Sequence, residues 1–130
     1  MTKVLVIEDD SLVSRTLLSH LKKRGFEVRG AENGEEGLAL FREFQPDLTL
    51  LDVKLPDING LDVLKQVKAE NKAATVIIMT AFDDMKTTVE AVKAGAFEYL
   101  VKPLDNLELD LTIDKALQMK ALEDKVSYLL

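Results

Sequence analysis

The sequence predicts one α/β domain in which a parallel five-stranded sheet is covered by helices on both faces. Its 130 residues are a length typical of a single domain. Five short apolar runs alternate with stretches whose apolar residues recur at helical spacing. Strict alternation of strands and helices produces βαβ units, and their right-handed crossovers place the strands parallel to one another.

Each predicted strand is a short apolar run. The first, third and fourth runs are almost continuous in Val, Ile, Leu and Thr, which is typical of strands buried on both faces. The second run is short and polar, so we predict it at an edge of the sheet. The five predicted strands are Lys3–Ile7, Glu27–Gly30, Asp47–Leu51, Thr75–Met79 and Phe97–Val101.

The predicted helices are bounded by residues that start or stop helices. Glycine is common directly after a helix, proline ends one, and Asp or Asn caps the first turn. The spacing from Asp105 to Glu108 is that of a capping box. The predicted helices run from Leu12 to about Gly25, from Asn33 to just before Pro46, from Asn59 to Asn71, from Asp83 or Asp84 to Gly95, and from Asp105 to Leu130.

Composition narrows the classes of function. Seventeen basic residues against 23 acidic ones leave a formal charge of −6, which argues against a direct nucleic-acid surface. The absence of cysteine excludes disulfides, thiol catalysis and cysteine-based zinc sites. No apolar run approaches the ~20 residues of a membrane span, and the N-terminus lacks the pattern of a signal peptide. We therefore expect a cytoplasmic protein without a membrane anchor.

Polar residues follow the predicted strands at their carboxyl ends, where a functional site is expected. In open α/β sheets, ligands bind beyond the carboxyl ends of the strands. Parallel strands bring these ends to one edge, so residues far apart in sequence are predicted to converge there. The converging groups are Glu8-Asp9-Asp10 after the first strand, Asp52 after the third, Thr80-Ala81 after the fourth and Lys102-Pro103 after the fifth.

The acidic residues at this edge predict a site for a divalent cation. Two carboxylates about 5 Å apart repel by ~3 kcal/mol at an effective dielectric near 20, and a cation offsets that repulsion. Carboxylate and carbonyl oxygens without thiol or imidazole are the ligands that Mg²⁺ selects. Lys102 adds an ammonium group, and the Thr80 hydroxyl is a further donor toward a phosphoryl oxygen. Asp52, on a central strand between the acids and the lysine, is the candidate nucleophile.

Each of these residues also has a purely structural interpretation. Taken alone, any one of these residues favours the structural interpretation. Only their convergence at the ends of different strands argues for a functional site. His20 is interpreted as a half-buried helix residue and Tyr99, on general grounds, as a core residue. The structural alternatives are helix capping for Asp9, Asp10 and Ser11, a solvated strand end for Glu8, a loop cap for Asp52, strand packing for Thr80 and a surface charge for Lys102.

Four segments resemble the receiver domain of bacterial two-component response regulators. They are VLVIEDD, LTLLDVKLPDINGLDVL, VIIMTAF and AGAFEYLVKP, and the match runs from Lys3 to about Ala121. The resemblance implies a flavodoxin-like (βα)5 three-layer sandwich with strand order 2-1-3-4-5. It also implies a receiver domain over residues 1–121. The length and apolar spacing of the last helix separately suggest that residues 122–130 extend it toward an effector domain outside this sequence.

The resemblance implies a phosphorylation site with bound Mg²⁺. Asp52 would accept a phosphoryl group from a phosphohistidine of a sensor histidine kinase. Asp9 and Asp52 would bind Mg²⁺ directly, together with the backbone carbonyl of Lys54, and Glu8 would act mainly through water. Catalysis would be limited to this self-phosphorylation and to slow autodephosphorylation, so the chain is expected to be a regulatory domain and not an enzyme.

The resemblance also implies a switch. Lys102 would pair with the phosphoryl group, and Pro103 would follow a cis peptide bond. Thr80 and Tyr99 would move on phosphorylation and change the surface of the fourth helix, fifth strand and fifth helix. Lys54 and Phe82 stand where the family's dephosphorylation rate is tuned.

The stretch MTAFDDMKTTVEAVKAGAFEYLVKP more narrowly resembles receivers of enhancer-binding, sigma-54-dependent transcriptional activators. No G-x-x-x-x-G-K-[ST] loop or recognisable helix-turn-helix occurs in these 130 residues, so ATPase and DNA-binding domains would lie elsewhere in a parent protein. A homodimer is expected through the last helix and the face of the fourth helix, fifth strand and fifth helix. The last helix carries heptad-spaced apolar residues, for which an ordinary core face with fraying is the alternative: Met119, Leu122, Val126 and Leu129.

Two alternative functions from other classes are disfavoured by particular residues of this chain. A Mg²⁺ phosphohydrolase with an aspartyl intermediate commonly carries a second acid two residues after the nucleophile, where this chain has Lys54. A flavin-binding module needs a Ser/Thr/Gly-rich loop after the first strand, where this chain has three acids. A standalone receiver that acts by protein contact alone is the remaining alternative.

Overall fold

A computed structural model describes residues 1–81 and 83–129 of the chain. The tuning role predicted for Phe82 and the predicted end of the last helix at Leu130 fall outside these residues. The observed elements are β1 (Lys3–Ile7), α1 (Ser11–Lys23), β2 (Glu27–Ala31), α2 (Gly34–Phe44), β3 (Leu48–Asp52), α3 (Gly60–Glu70), β4 (Val76–Thr80), α4 (Met85–Lys93), β5 (Glu98–Val101) and α5 (Asn106–Leu129).

The five strands form one parallel sheet in the order β2-β1-β3-β4-β5, which confirms the predicted topology. The pairing registers Ile7 with Leu51, Asp52 with Met79, and Thr80 with Val101. The carboxyl ends of the strands therefore share one edge. Asp52 and Thr80 are the last residues of β3 and β4, and not the first residues after them as predicted.

Side-chain alternation along the strands divides the core into two clusters, one on each face of the sheet. Leu5 and Ile7 belong to the cluster that α2, α3 and α4 cover, whereas Val4 and Val6 belong to the cluster that α1 and α5 cover. All five residues of β3 and of β4 are buried, and β2 alternates between exposed and partly buried positions until its last residue. The predicted central strands and the predicted edge strand are confirmed.

The helix caps agree only in part with the predictions. Asp10 caps α1, because its Oδ1 accepts hydrogen bonds from the amides of Leu12 (2.9 Å) and Val13 (3.1 Å). The capping alternative for Asp10 is therefore correct. Asp84 stands at the N-cap of α4 but makes no side-chain capping bond.

Within residues 1–81 and 83–129, no helix combines the length and the apolar character needed to cross a membrane.

Candidate functional site

Three charged side chains meet at the carboxyl edge of the sheet. Lys102 Nζ lies 2.9 Å from Asp52 Oδ2 and forms an ion pair with Glu8 Oε1. Glu8 follows β1, Asp52 ends β3, and Lys102 follows β5, so the contact joins three separate strands. The predicted convergence of these residues is what the fold produces.

Backbone amides fix the two buried carboxylates. Glu8 is fully buried, and its Oε2 accepts a hydrogen bond from the amide of Asp10 at 3.2 Å. Asp52 is only 5% exposed, and its Oδ1 accepts from the amide of Lys54 at 3.0 Å. Both carboxylates are thus partnered by a backbone donor and by Lys102, which makes their burial tolerable.

Asp9 adds a third, exposed carboxylate beside this pair. One carboxylate oxygen each from Glu8, Asp9 and Asp52 lies within 4.8 Å of the others. Three hard oxygen donors at this separation can converge on one cation of the Mg²⁺ or Ca²⁺ type. The arrangement fits the divalent cation that the sequence predicts.

Burial and mutual repulsion shift the protonation of the cluster. Burial, helped by the neighbouring Asp52, raises the pKa of Glu8 to about 7 against the opposing influence of Lys102. Burial alone would lower the pKa of Lys102, but hydrogen bonds and charge from Glu8 and Asp52 outweigh it and raise that pKa. Lys102 therefore stays charged near neutral pH, while Glu8 is poised to take up a proton when no cation is bound.

The predicted switch residues Thr80 and Tyr99 lie on the neighbouring strands β4 and β5. The hydroxyl of Thr80 is buried, 2.9 Å from the Thr88 hydroxyl and 3.2 Å from the carbonyl oxygen of Ala81. Tyr99 is partly buried in β5 and packs against the core cluster under α2, α3 and α4. The peptide bond between Lys102 and Pro103 is cis, the geometry that the resemblance implies.

The comparison with known families decides what kind of domain this is. Residues 4–114 match the model of the response regulator receiver domain. The chain belongs to this family. The receiver domain is a regulatory domain, and the predicted family and fold class are confirmed.

Bacterial proteins are among the relatives of this receiver domain. It is 35% identical to regulatory protein AtoC of Escherichia coli over 99% of its own length and 28% of that protein. It is 44% identical to transcriptional regulatory protein ZraR of Salmonella typhimurium, over 88% of its length and 26% of that protein. A crystal structure of a receiver domain protein from Clostridium thermocellum superposes with a TM-score of 0.90 at 35% identity, covering 94% of this chain and 98% of that one. The receiver domain thus spans about a quarter of each curated relative that it matches here.

Three residues that support the site were missed in the sequence. Asp57 accepts from the amides of Gly34 (2.7 Å) and Glu35 (2.9 Å), so the loop after β3 caps α2 and the pKa of Asp57 is lowered.

Gly60 and Thr88 are the other two residues. The sequence indicates only that Asn59-Gly60 starts a helix and that Thr88 is one polar position of a helix. The contacts of Gly60 and Thr88 depend on how their helices pack on the sheet.

At Gly60 the start of α3 lies directly against the backbone at the end of β3. A Cβ at this position would lie 2.4 Å from the carbonyl oxygen of Asp52 and 2.5 Å from Val53 Cα. Because both atoms are backbone, Gly60→Ala has to displace α3 or the strand end that carries Asp52. We expect a loss of about 1–3 kcal/mol in the free energy of unfolding, measured by urea denaturation.

Gly30→Ala is the matched control for this prediction. The Cβ there would come closest to the flexible end of Leu18, with Cδ1 at 2.9 Å, and would lie at an ordinary contact distance of 3.6 Å from Ser14 Oγ. It should cost clearly less than Gly60→Ala. Equal losses for the two variants would contradict the assigned close approach.

Proposed function

We propose that this receiver domain is the phosphoacceptor switch of a two-component phosphorelay. Asp52 takes the phosphoryl group from a phosphohistidine of a sensor histidine kinase. The observation that supports the proposal is the double role of two buried carboxylates. Asp52 and Glu8 both form ion pairs with Lys102, and together with Asp9 they also form the acidic group that could hold a cation. A carboxylate between an ammonium group and a cation site is the arrangement that aspartyl phosphorylation needs.

The transfer step uses side chains that are already in position. A carboxylate oxygen of Asp52 forms a bond to phosphorus while the bond from phosphorus to the histidine nitrogen breaks, and the imidazole keeps the electron pair. The Lys54 amide, 3.0 Å from Oδ1, orients the carboxylate. Lys102 neutralises charge on the phosphoryl oxygens as they arrive.

Magnesium is the proposed cofactor. Asp9, Asp52 and the backbone carbonyl of Lys54 would hold it, with Glu8 acting through water. When bound, it supplies positive charge between the carboxylates and the phosphoryl oxygens. The all-oxygen donor set supports this choice over a softer metal.

The product is a mixed anhydride, which water hydrolyses slowly. The domain is therefore proposed to act once per signal, with autodephosphorylation as its only other reaction. Lys54 in place of a second acid argues against multiple turnover on small phosphomonoesters. Release of many phosphates per protein from such a substrate would favour the phosphohydrolase instead.

We further propose, following the resemblance, that phosphorylation changes the face formed by α4, β5 and α5. Thr80 and Tyr99 would be the residues that move, and Pro103 lies next to the site.

This change would control homodimerisation and a transcription-activator module of a larger cytoplasmic protein. Residues 122–130 would then be the start of the linker to that module. A standalone receiver is the alternative. Exposed apolar side chains on the two helices support a protein contact there: Met85, Val89, Val92, Leu107, Leu111, Met119, Leu122, Val126 and Leu129.

Treatment with acetyl phosphate and Mg²⁺ tests the proposal. We expect intact-mass spectrometry to show the gain of one phosphoryl group in the wild type and none in Asp52→Asn. Asp62→Asn, which changes an exposed acid on α3, is the matched control and should be phosphorylated normally. An unchanged gain in Asp52→Asn would move the acceptor elsewhere. Sedimentation velocity of the same samples reports the proposed dimer, and a monomer in every state would contradict it.

A further inference from the structure

The buried hydroxyl of Thr88 on α4 makes a hydrogen bond with the predicted switch residue Thr80. Its Oγ1 lies 2.9 Å from Thr80 Oγ1 and 2.9 Å from the carbonyl oxygen of Asp84, one turn earlier in the helix. Both threonines are buried. The two hydroxyls thus connect the last residue of β4 to the first turn of α4, where Asp84 provides no side-chain cap.

Two hydrogen-bond arrangements satisfy both hydroxyls of this pair. In one, Thr88 donates to Thr80, which donates to the carbonyl of Ala81. In the other, Thr80 donates to Thr88, which donates to the carbonyl of Asp84. A hydroxyl has one proton to donate and can accept as well, so each arrangement uses both protons.

The same geometry lets the Thr80 hydroxyl move away while the Thr88 hydroxyl keeps a hydrogen-bond partner. If the Thr80 hydroxyl turns away, Thr88 still donates to the Asp84 carbonyl. Departure therefore costs one neutral hydrogen bond and leaves the buried Thr88 hydroxyl with a partner. A bond from Thr80 to a charged phosphoryl oxygen is roughly twice as strong as the neutral bond it replaces.

We propose that Thr88 is a positioning residue that holds the Thr80 hydroxyl against α4 in the unphosphorylated domain. This inference rests on the proposed function, because it gives the hydroxyl pair a role only if Asp52 carries a phosphoryl group. Thr88 increases the fraction of unphosphorylated molecules in which the Thr80 hydroxyl points toward α4. Because Thr88 also bonds to Asp84, movement of the Thr80 hydroxyl changes the hydrogen bonding at the start of α4. A residue that stabilises only the resting state opposes activation by the free energy of its bond.

Binding of beryllofluoride, a phosphoryl mimic, tests this role by isothermal titration in saturating Mg²⁺. Thr88→Val keeps the shape of the side chain and removes its hydroxyl, and Thr88→Ser keeps the hydroxyl. In Thr88→Val the Thr80 hydroxyl keeps only the longer 3.2 Å contact to the carbonyl of Ala81. We therefore expect the variant to bind beryllofluoride more tightly than the wild type, by at most the roughly 10-fold that one neutral hydrogen bond provides. Thr88→Ser should bind with nearly wild-type affinity.

A double-mutant cycle separates positioning from a general packing effect. In a Thr80→Val background there is no hydroxyl to hold, so adding Thr88→Val should leave the affinity unchanged. An affinity of Thr88→Val equal to or weaker than that of the wild type would overturn the inference, as would a gain that persists without the Thr80 hydroxyl. If the wild type shows no binding that depends on Asp52, the proposed function fails together with the inference. Wild-type binding with an unaltered Thr88→Val overturns the inference alone.

Discussion

Lys102→Ala is expected to slow phosphorylation by acetyl phosphate about 100-fold or more and to destabilise the metal-free domain by about 3 kcal/mol at pH 8. Lys102 Nζ is 2.9 Å from Asp52 Oδ2 and pairs with the fully buried Glu8. Without the ammonium, two buried carboxylates face each other without a compensating charge. The loss in rate and the loss in stability therefore have the same physical origin.

The two effects of Lys102→Ala are separable by measurement. Mass spectrometry over time gives the phosphorylation rate, and urea denaturation without metal gives the free energy of unfolding. Lys115→Ala, which removes an exposed lysine of α5, is the control and should change neither quantity much. If Lys102→Ala is phosphorylated as fast as this control, Lys102 has no part in the transfer.

The sequence predicts the position of the site well because the site depends on strand ends. The strands are readable as apolar runs, and a parallel sheet has only one carboxyl edge. Glu8, Asp52 and Lys102 therefore meet once the strand order 2-1-3-4-5 is correct. The one-residue difference at Asp52 and Thr80 arises because a polar residue can still complete the backbone ladder of a strand.

The contacts between helices and loops are not readable in the same way. Thr88 meets Thr80 only because of the rotation of α4 about its axis, which apolar periodicity fixes too coarsely to select one hydroxyl. Asp57 caps α2 from a loop 23 residues further along the chain. His20 is half-buried as predicted, but its Nε2 is 2.8 Å from Asp110 Oδ1 on α5, a pairing across 90 residues that no local pattern marks. These interactions require the tertiary arrangement itself.

The metal-free domain is expected to lose stability as the pH rises from about 4.5 to about 7. Burial raises the pKa of Glu8 from 4.5 in the unfolded chain to about 7 in the folded domain. Between these two values the folded state holds a proton that the unfolded state has lost, so the free energy of unfolding falls with increasing pH. A difference of this size corresponds to about 3 kcal/mol in total.

Other shifted groups titrate outside this interval. The pKa of Asp57 and that of Glu70 are lowered, so the stability they contribute is lost only as the pH falls through those lowered values, below the interval. The raised pKa of Lys102 affects stability only above the ordinary value of 10.5. The change between pH 4.5 and 7 is therefore assigned to the buried acid of the site.

Glu8→Gln isolates this contribution, because the amide has the shape of the protonated acid and cannot ionise. The variant should match the wild type near pH 4 and exceed its free energy of unfolding by about 3 kcal/mol at pH 8, measured by urea denaturation without metal. Glu123→Gln, an exposed change on α5, should follow the wild type at both pH values. Adding Mg²⁺ at pH 8 should stabilise the wild type more than Glu8→Gln, since the cation binds an acidic group that the variant has partly neutralised. If the wild type and Glu8→Gln unfold with the same dependence on pH, Glu8 is already ionised in the folded domain, and Lys102 compensates its charge without help from a cation.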